Sequence, residues 1–252
     1  MFKPIPRHNV EDRASMPQAP AAVETKTHAT PTLPLFMGVL SLILSLVPVC
    51  MGIYEFEIVQ KPSNLPLASF DALLRKAGTL FPFIPLILRC LVQSQFNHEG
   101  QATLPWFFKC VPSMAQHVGI QAVRLALYKL HVLGQQHGVV AGDLLADHCV
   151  LGVAVQSALA FEIAASMYVL SVSTAETVAA ILYTIAASCA WFLLVLVSFD
   201  MRDTAKYFHD AEESLLGVAL GVAVFAIPVC YVLLTPVLQR LQNSPKNGKK
   251  GM

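Results

Sequence analysis

The chain has 252 residues, of which 55% are hydrophobic and 13% are charged. This charged fraction is about half of that in an ordinary soluble domain, and the mean hydropathy is +0.59. One soluble core cannot bury so much apolar sequence, which excludes a typical water-soluble enzyme. The net charge is +1 with scattered Lys and Arg. Nucleic-acid binding is therefore excluded as well, because no basic stripe is available to neutralise phosphates.

The chain begins with a polar segment, residues 1–31, which contains five prolines and charges of both signs. Such a composition is typical of a disordered tail. The segment has no apolar run of the kind found in signal peptides. Its acidic residues also interrupt the basic pattern of a mitochondrial transit peptide.

Six later segments are suited to crossing a bilayer, which takes about 20 mostly apolar residues. They are residues 33–54, 77–96, 103–127, 149–170, 177–199 and 214–236. The third is the least apolar, because Lys109, His117 and Arg124 fall inside it. We therefore predict an all-α, six-helix transmembrane bundle over residues 32–238, with disordered cytosolic tails at both ends. The second tail is basic and covers residues 239–252.

An alternating path places the three longer loops, residues 55–76, 128–148 and 200–213, on one side of the membrane. Lys and Arg number eight in the two tails and six in these loops, a small excess that favours cytosolic tails. The last four residues, Lys249-Lys250-Gly251-Met252, match a KKxx ending. It is similar to the signal that returns membrane proteins to the endoplasmic reticulum, although a basic tail can contain two lysines by chance. We predict an endoplasmic-reticulum protein with luminal polar loops.

Two histidines lie where these luminal loops enter helices. His148 precedes the fourth span and His209 precedes the sixth. Helix N-termini present free N–H groups and a positive dipole end, which suit a phosphate group. Two histidines placed there can share phosphoryl chemistry, one attacking phosphorus and the other protonating the leaving oxygen. The alternative is that both residues only cap their helices at the membrane interface.

Other polar residues could support such a pair. Glu213 lies four residues after His209, on the same helical face, where it can orient the imidazole and stabilise its positive charge. Arg202, Lys206 and Lys129 are candidates to balance the phosphate charge.

The segments around the two histidines resemble the fat-storage-inducing transmembrane (FIT) family, distant relatives of the lipid phosphate phosphatases. The family pattern of an Asp, a Ser-Gly-His and a deep acidic residue corresponds to Asp143, Ala146-Asp147-His148 and Glu162. A second family block, Thr-Ala-x-Tyr-Phe-His, corresponds to residues 204–209. The six-span layout with cytosolic tails is also similar.

The resemblance implies an acyl-CoA diphosphatase that cleaves the pyrophosphate of fatty acyl-CoA on the luminal side. It also implies a role in lipid-droplet formation and in the lipid homeostasis of the endoplasmic reticulum. His209 would be the nucleophile that forms a phosphohistidine, and His148 the general acid and then the base. No metal or other cofactor is implied. The implied partners are fatty acyl-CoA or another phosphorylated lipid, the bilayer, and diacylglycerol or triacylglycerol.

The sequence departs from the family pattern just before His148, where Ala146-Asp147 replaces Ser-Gly. Ala146 has no side-chain donor for phosphate. Asp147 adds a negative charge that disfavours phosphate unless a lysine or a metal offsets it, or it favours the protonated, acidic form of His148. Two outcomes follow: a divergent active enzyme, or a relative with altered chemistry.

Charged residues inside the predicted spans need separate interpretations. Glu162 lies 14 residues after His148, about 21 Å along a helix, too far away to touch the same phosphorus. It either packs helices together or shapes a lipid cavity. Arg124 is a second intramembrane charge, and Arg89 is expected to extend to the cytosolic interface.

Two other classes of protein fit the same sequence. One is a non-catalytic lipid-binding or scaffold protein of the same fold, and the other is a transporter or an accessory subunit of a membrane complex. Transport predicts internal repeats or charges along a pathway. Catalysis instead requires the imidazoles of His148 and His209 to lie within about 10 Å of each other, because both must touch one phosphoryl group.

Overall fold

The computed structural model describes residues 32–56, 67–96, 104–137, 146–172 and 177–243. Every regular element in these ranges is a helix, which confirms the all-α prediction. The α-helices are α1 (Thr32–Tyr54), α2 (Ala68–Ala77), α3 (Phe83–Phe96), α4 (Cys110–Gln136), α5 (Asp147–Val172), α6 (Thr177–Tyr207), α7 (Ala211–Gly221) and α8 (Ile227–Asn243). Short 3₁₀ turns occupy Gly78–Leu80 and Trp106–Phe108, and a π-helical segment, Val222–Ala226, joins α7 to α8.

Within the described ranges, four helical segments are long and apolar enough to cross a membrane: α1, α5, α6 and the continuous rod Ala211–Gln239 formed by α7 and α8. Ser69–Leu80 and Phe83–Phe96 pass the same test together, although they are bent by 44°. Counting this pair as one span gives five spans. The bend falls at Pro82, which cannot donate a backbone hydrogen bond to a continuous helix. The chain is a multi-pass membrane protein.

Helix α4 differs from its prediction in position and in polarity. It begins at Cys110 and ends at Gln136, seven and nine residues later than the predicted segment 103–127. It is also not among the helices apolar enough to be counted as a span. Its polar residues Ser113 and His117 are fully buried, whereas its outer face carries the exposed side chains of Val111, Met114, Val118, Leu125 and Leu130. A polar face turned inward lowers the mean hydropathy of a helix whose outer surface is apolar.

Helix α5 lies at the centre of the bundle. Its most apolar stretch of 18 residues is entirely buried. The helix packs against α1, α4, α6, α7 and α8. Small residues permit these close contacts. A side chain at Gly38 of α1, for example, would lie 3.0 Å from the carbonyl oxygen of Ala160. The central position of α5 places its first turn, which includes His148, among several neighbouring helices.

One end of the bundle collects most of the polar residues that the sequence predicts to form a site. Gly52 near the end of α1 approaches the backbone of Arg202 near the end of α6, and Gly217 near the start of α7 approaches the start of α5. This end, which we call the histidine end, thus contains the C-termini of α1 and α6 and the N-termini of α5 and α7. Helix α8 extends to Asn243, so the predicted tail 239–252 begins as helix. The predicted tail 1–31, Asp143 and the KKxx ending lie outside the described residues.

Candidate active site

The structure brings the two predicted histidines together. The ring centroids of His148 and His209 are 5.9 Å apart, with an angle of 51° between the ring planes. His148 lies in the first turn of α5, and His209 lies in the turn between α6 and α7. Both side chains are partly buried. This separation is below the limit of about 10 Å within which both imidazoles can touch one phosphoryl group.

Glu213 orients the ring of His209. Its Oε2 atom lies 3.1 Å from Nδ1 of His209. An ionised carboxylate can only accept a hydrogen bond, so Nδ1 must carry the proton in this pair. The lone pair of the neutral imidazole is then on Nε2. The structure thus contains the contact between Glu213 and His209 that the four-residue spacing allows.

The start of α7 is fixed by a helix cap. Asp210 is the N-cap residue, and its carboxylate accepts a hydrogen bond of 2.8 Å from the N–H of Glu213. Such a cap stabilises a helix by about 1 kcal/mol. The carbonyl of Glu213 also accepts a hydrogen bond of 3.4 Å from the N–H of Ala146. The first turns of α5 and α7 are therefore tied to each other by their backbones.

Gly217 allows this close approach of α5 and α7. A Cβ atom at Gly217 would lie 2.7 Å from the carbonyl oxygen of Ala146 and 2.9 Å from Cβ of Cys149. Backbone atoms cannot move aside as the end of a flexible side chain can. The absence of a side chain at this position therefore helps to set the distance between the two histidines.

We expect Gly217→Ala to push α7 away from α5 and to destabilise the protein by about 1–3 kcal/mol, as overpacking usually does. Thermal unfolding of the purified full-length protein in detergent would measure the change. Gly119→Ala on α4 is the matched control, because no atom lies within 4 Å of the added Cβ. That control should stabilise its helix by about 0.5–1 kcal/mol. Equal melting temperatures for the two variants would contradict this account of Gly217.

The negative charge of Asp147 is neutralised by an arginine. Nη2 of Arg124 lies 3.0 Å from Oδ2 of Asp147, and the two side chains are 14% and 20% exposed. The sequence suggested that a lysine or a metal would be needed beside Asp147, but Arg124 of α4 takes this role. Arg124, predicted simply as an intramembrane charge, thus lies level with the first turn of α5. The side chain of Ala146 is fully buried.

Arg75 lies beside the two histidines, although nothing in the sequence singles it out as a ligand for phosphate. Its guanidinium carbon lies 5.1 Å from the ring centroid of Phe208, the neighbour of His209. Its charge also acts on His148. Nε of Arg75 donates a hydrogen bond of 2.8 Å to Asp71 on the same helix. The guanidinium is therefore held between α2 and the histidine end. The only sequence signal was a basic pair, Arg75-Lys76, just before an apolar segment.

Two of the three cations predicted to balance phosphate are paired with a carboxylate. Nη2 of Arg202 is 2.6 Å and Nζ of Lys206 is 3.3 Å from Oε2 of Glu55, which follows α1. The hydrogen bond from Arg202 holds the pKa of Glu55 below its usual range. Lys129 is exposed on α4. In the part of the chain that the structure describes, no contact joins Arg202 or Lys129 to His148 or His209.

A second charged cluster lies deep in the bundle. Nε and Nη2 of Arg89 are 2.8 Å and 3.0 Å from the two carboxylate oxygens of Glu162. Nη1 of Arg89 donates to the carbonyl of Phe108 at 2.7 Å. His117 of α4 has Nε2 at 3.6 Å from Glu162, and the side chains of all three ionisable residues are fully buried. The prediction that Arg89 extends to the interface is wrong, because Glu162 offers a bidentate partner inside the bundle. This cluster joins α3, α4 and α5.

No protein-family model, curated protein or solved structure matches the chain. Within the described ranges, no group of three or more His, Cys, Asp or Glu side chains is arranged to hold a metal ion. The evidence for a function therefore comes from the histidine pair and its surroundings.

Proposed function

We propose that this protein is an endoplasmic-reticulum lipid phosphatase, similar to FIT proteins, that hydrolyses the pyrophosphate of fatty acyl-CoA. One observation carries the proposal: two histidine rings lie 5.9 Å apart, and one of them is oriented by a carboxylate on Nδ1. Adjacent imidazoles of this kind can divide the work of nucleophile and general acid.

In the first step, Nε2 of His209 attacks one phosphorus of the pyrophosphate. A P–N bond forms, the bridging P–O bond breaks, and the leaving phosphate oxygen takes a proton from His148. In the second step, His148 accepts a proton from water, whose oxygen forms a new bond to phosphorus as the P–N bond breaks. One water is consumed, two phosphate monoesters are formed, and both histidines return to their starting states. Glu213 stabilises the positive charge on His209 as it reacts.

Two arginines replace the cations proposed from the sequence as phosphate ligands. Arg75 uses its Nε for Asp71, so that its two Nη groups can bind phosphate oxygens. Arg124 offsets Asp147 beside His148 and thereby reduces the repulsion of an approaching anion. In the first turn of α5, the N–H groups of Cys149 and Val150 already donate to the carbonyl of Ala146, so the N–H groups of Asp147 and His148 are the ones that add donors for phosphate.

The proposed topology has six spans, with α4 as the third, the histidine end in the lumen and both tails in the cytosol. Support comes from the buried polar face and the exposed apolar face of α4. The resemblance of residues 143–162 and 204–209 to FIT proteins favours the endoplasmic reticulum as the location. In this setting, removal of acyl-CoA at the luminal leaflet would contribute to lipid homeostasis and to lipid-droplet formation.

The test is phosphate-ester release from oleoyl-CoA by the purified full-length protein in detergent. We expect activity in the wild type, none in the double variant His148→Ala/His209→Ala, and wild-type activity in His137→Ala, which removes an exposed histidine at the end of α4. Oleoyl phosphatidic acid and a prenyl diphosphate, run in parallel, identify the phosphoryl donor. An inactive wild type on all three substrates, or an active double variant, would overturn the proposal.

A further inference from the structure

An apolar cavity lies between α4 and the rod formed by α7 and α8. Its volume is about 370 Å³, within the range of about 300–1,000 Å³ that is usual for ligand pockets. Ala115, Gln116 and Ile120 contribute from α4, and Phe225 and Val229 contribute from the rod. Gln116 is the only amide side chain in the lining. The cavity therefore suits a hydrocarbon ligand.

One wall of the cavity is an irregular helix. Val224 and Phe225 line the cavity and belong to the π-helical segment Val222–Ala226. Pro228 follows and also lines the cavity. A proline cannot donate to the carbonyl four residues earlier, here that of Val224, which removes the hydrogen bond that a regular α-helix would need. Single π turns are rare in proteins, and those that occur are often found at functional sites.

The cavity lies farther along the helices than the histidine end, toward the middle of the bilayer, where lipid tails are found. Along α4, Ile120 is four residues from Arg124, or about 6 Å, and Ala115 is nine residues away, or about 14 Å. Along the rod, Val224 is eleven residues from Glu213, or about 16 Å. The hydrocarbon core of a bilayer is about 30 Å thick, so each leaflet contributes about 15 Å. A tail attached directly to a phosphate group at the histidines would reach this depth, and the tail of an acyl-CoA, which pantetheine separates from the pyrophosphate, would reach it with that linker folded.

Along α4, a buried polar residue that does not line the cavity falls between Ile120 of the cavity and Arg124 of the charged site. Both amide atoms of Gln121 are buried and have no hydrogen-bond partner. Gln121 lies three residues from Arg124 and next to Ile120 on α4. Buried amides normally have partners, and an ester or amide group of a bound lipid would provide one. From the histidine end downward, α4 thus presents a cation, an amide and an apolar wall.

We propose that this cavity binds the single acyl tail of the phosphorylated lipid whose head group is held at His148 and His209. The inference rests on the proposed function, because the cations at the histidine end are what fix the head group there. The order of chemistry along α4 matches the order of phosphate, polar linker and hydrocarbon in such a lipid. The cavity therefore selects substrates by the length of their tail.

The first test fills the cavity. Ala115→Trp places a large side chain in the lining, and Ala122→Trp is the matched control, an exposed alanine on α4 that does not line the cavity. We expect Ala115→Trp to raise the KM for oleoyl-CoA about tenfold and to keep its rate with butyryl-CoA within about twofold of wild type. The control Ala122→Trp should stay within about twofold of wild type on both substrates. An equal effect on both substrates, or no effect on either, would overturn the inference.

The second test does not depend on catalysis. An acyl-CoA with a photoreactive diazirine in its tail is added to His148→Ala/His209→Ala protein in nanodiscs, and the crosslinked peptides are identified by mass spectrometry. We expect crosslinks in residues 112–120 and 224–232 that disappear when Ala115→Trp is added. If these crosslinks form but wild-type protein releases no phosphate from the same acyl-CoA, the proposed function is overturned and the tail site is supported. Crosslinks spread evenly over the lipid-facing helices would overturn the tail site.

Discussion

His209→Ala should reduce phosphoryl release from oleoyl-CoA by at least about 10³-fold, because loss of a nucleophile removes the whole covalent pathway. His148→Ala should reduce it by about 10²–10⁴-fold, the usual contribution of a general acid or base. Both losses follow from the 5.9 Å separation of the rings, which allows both to reach one phosphoryl group. The two variants should nevertheless fail at different steps.

The two variants should differ in whether the phosphohistidine intermediate accumulates. A phosphate oxygen of a pyrophosphate is a good leaving group, so the first step depends less on the acid than the second step depends on the base. His148→Ala protein should therefore retain a phosphoryl group on Nε2 of His209. Brief incubation with acyl-CoA carrying ³²P in its pyrophosphate, followed by denaturation, should show a label that is stable in alkali and lost in acid.

Three controls define this experiment. The label should be absent from His209→Ala, and His137→Ala should behave as wild type. Glu213→Gln should slow both steps without abolishing them, because the amide can still accept a hydrogen bond from Nδ1 of His209 but carries no negative charge. A label that persists in His209→Ala would assign the nucleophile to another residue.

The sequence was sufficient to predict the features that depend on local pattern. Apolar runs placed α1, α5 and α6, because hydrocarbon length fixes the length of a span. Connectivity predicted only that His148 and His209 lie on the same side of the bundle, whereas the 5.9 Å between their rings depends on how α5 and α7 pack. The contact between His209 and Glu213 followed from helical spacing.

The sequence could not predict contacts that depend on how each helix is rotated about its axis. Arg89 and Glu162 are 73 residues apart in the chain, and nothing in the local pattern of either helix indicates the other. The position of Arg75 depends on the bend at Pro82, which sets where α2 lies. The position of α4 was misjudged because its polar face is turned inward, so that mean hydropathy does not reveal where the helix begins or ends.

Breaking the Arg89–Glu162 pair should have the largest effect on stability. Removing one partner of a buried ion pair costs about 3–5 kcal/mol, because the other charge remains buried without compensation. The two partners should not be equivalent. In Glu162→Leu, Arg89 cannot lose its charge, since guanidinium remains protonated in proteins. In Arg89→Met, Glu162 can become neutral by taking up a proton, which limits the cost.

We therefore expect Glu162→Leu to destabilise the protein more than Arg89→Met does, and the double variant Arg89→Met/Glu162→Leu to recover most of the loss. Buried ion pairs replaced by apolar residues of similar volume are often as stable as the original pair. SDS-induced unfolding of the purified protein would measure the free energies. Glu212→Gln, at an exposed position on α7, is the control for loss of a carboxylate and should change little.

The double variant also separates packing from catalysis. Glu162 lies 14 residues from His148 along α5, or about 21 Å, so that it cannot contact the same phosphate. If the pair serves only to hold α3, α4 and α5 together, the double variant should regain phosphoryl release along with its stability. A double variant that is stable but inactive would instead assign the buried charges a part in the reaction, through His117 and the polar face of α4 that leads to Arg124 and the histidine end.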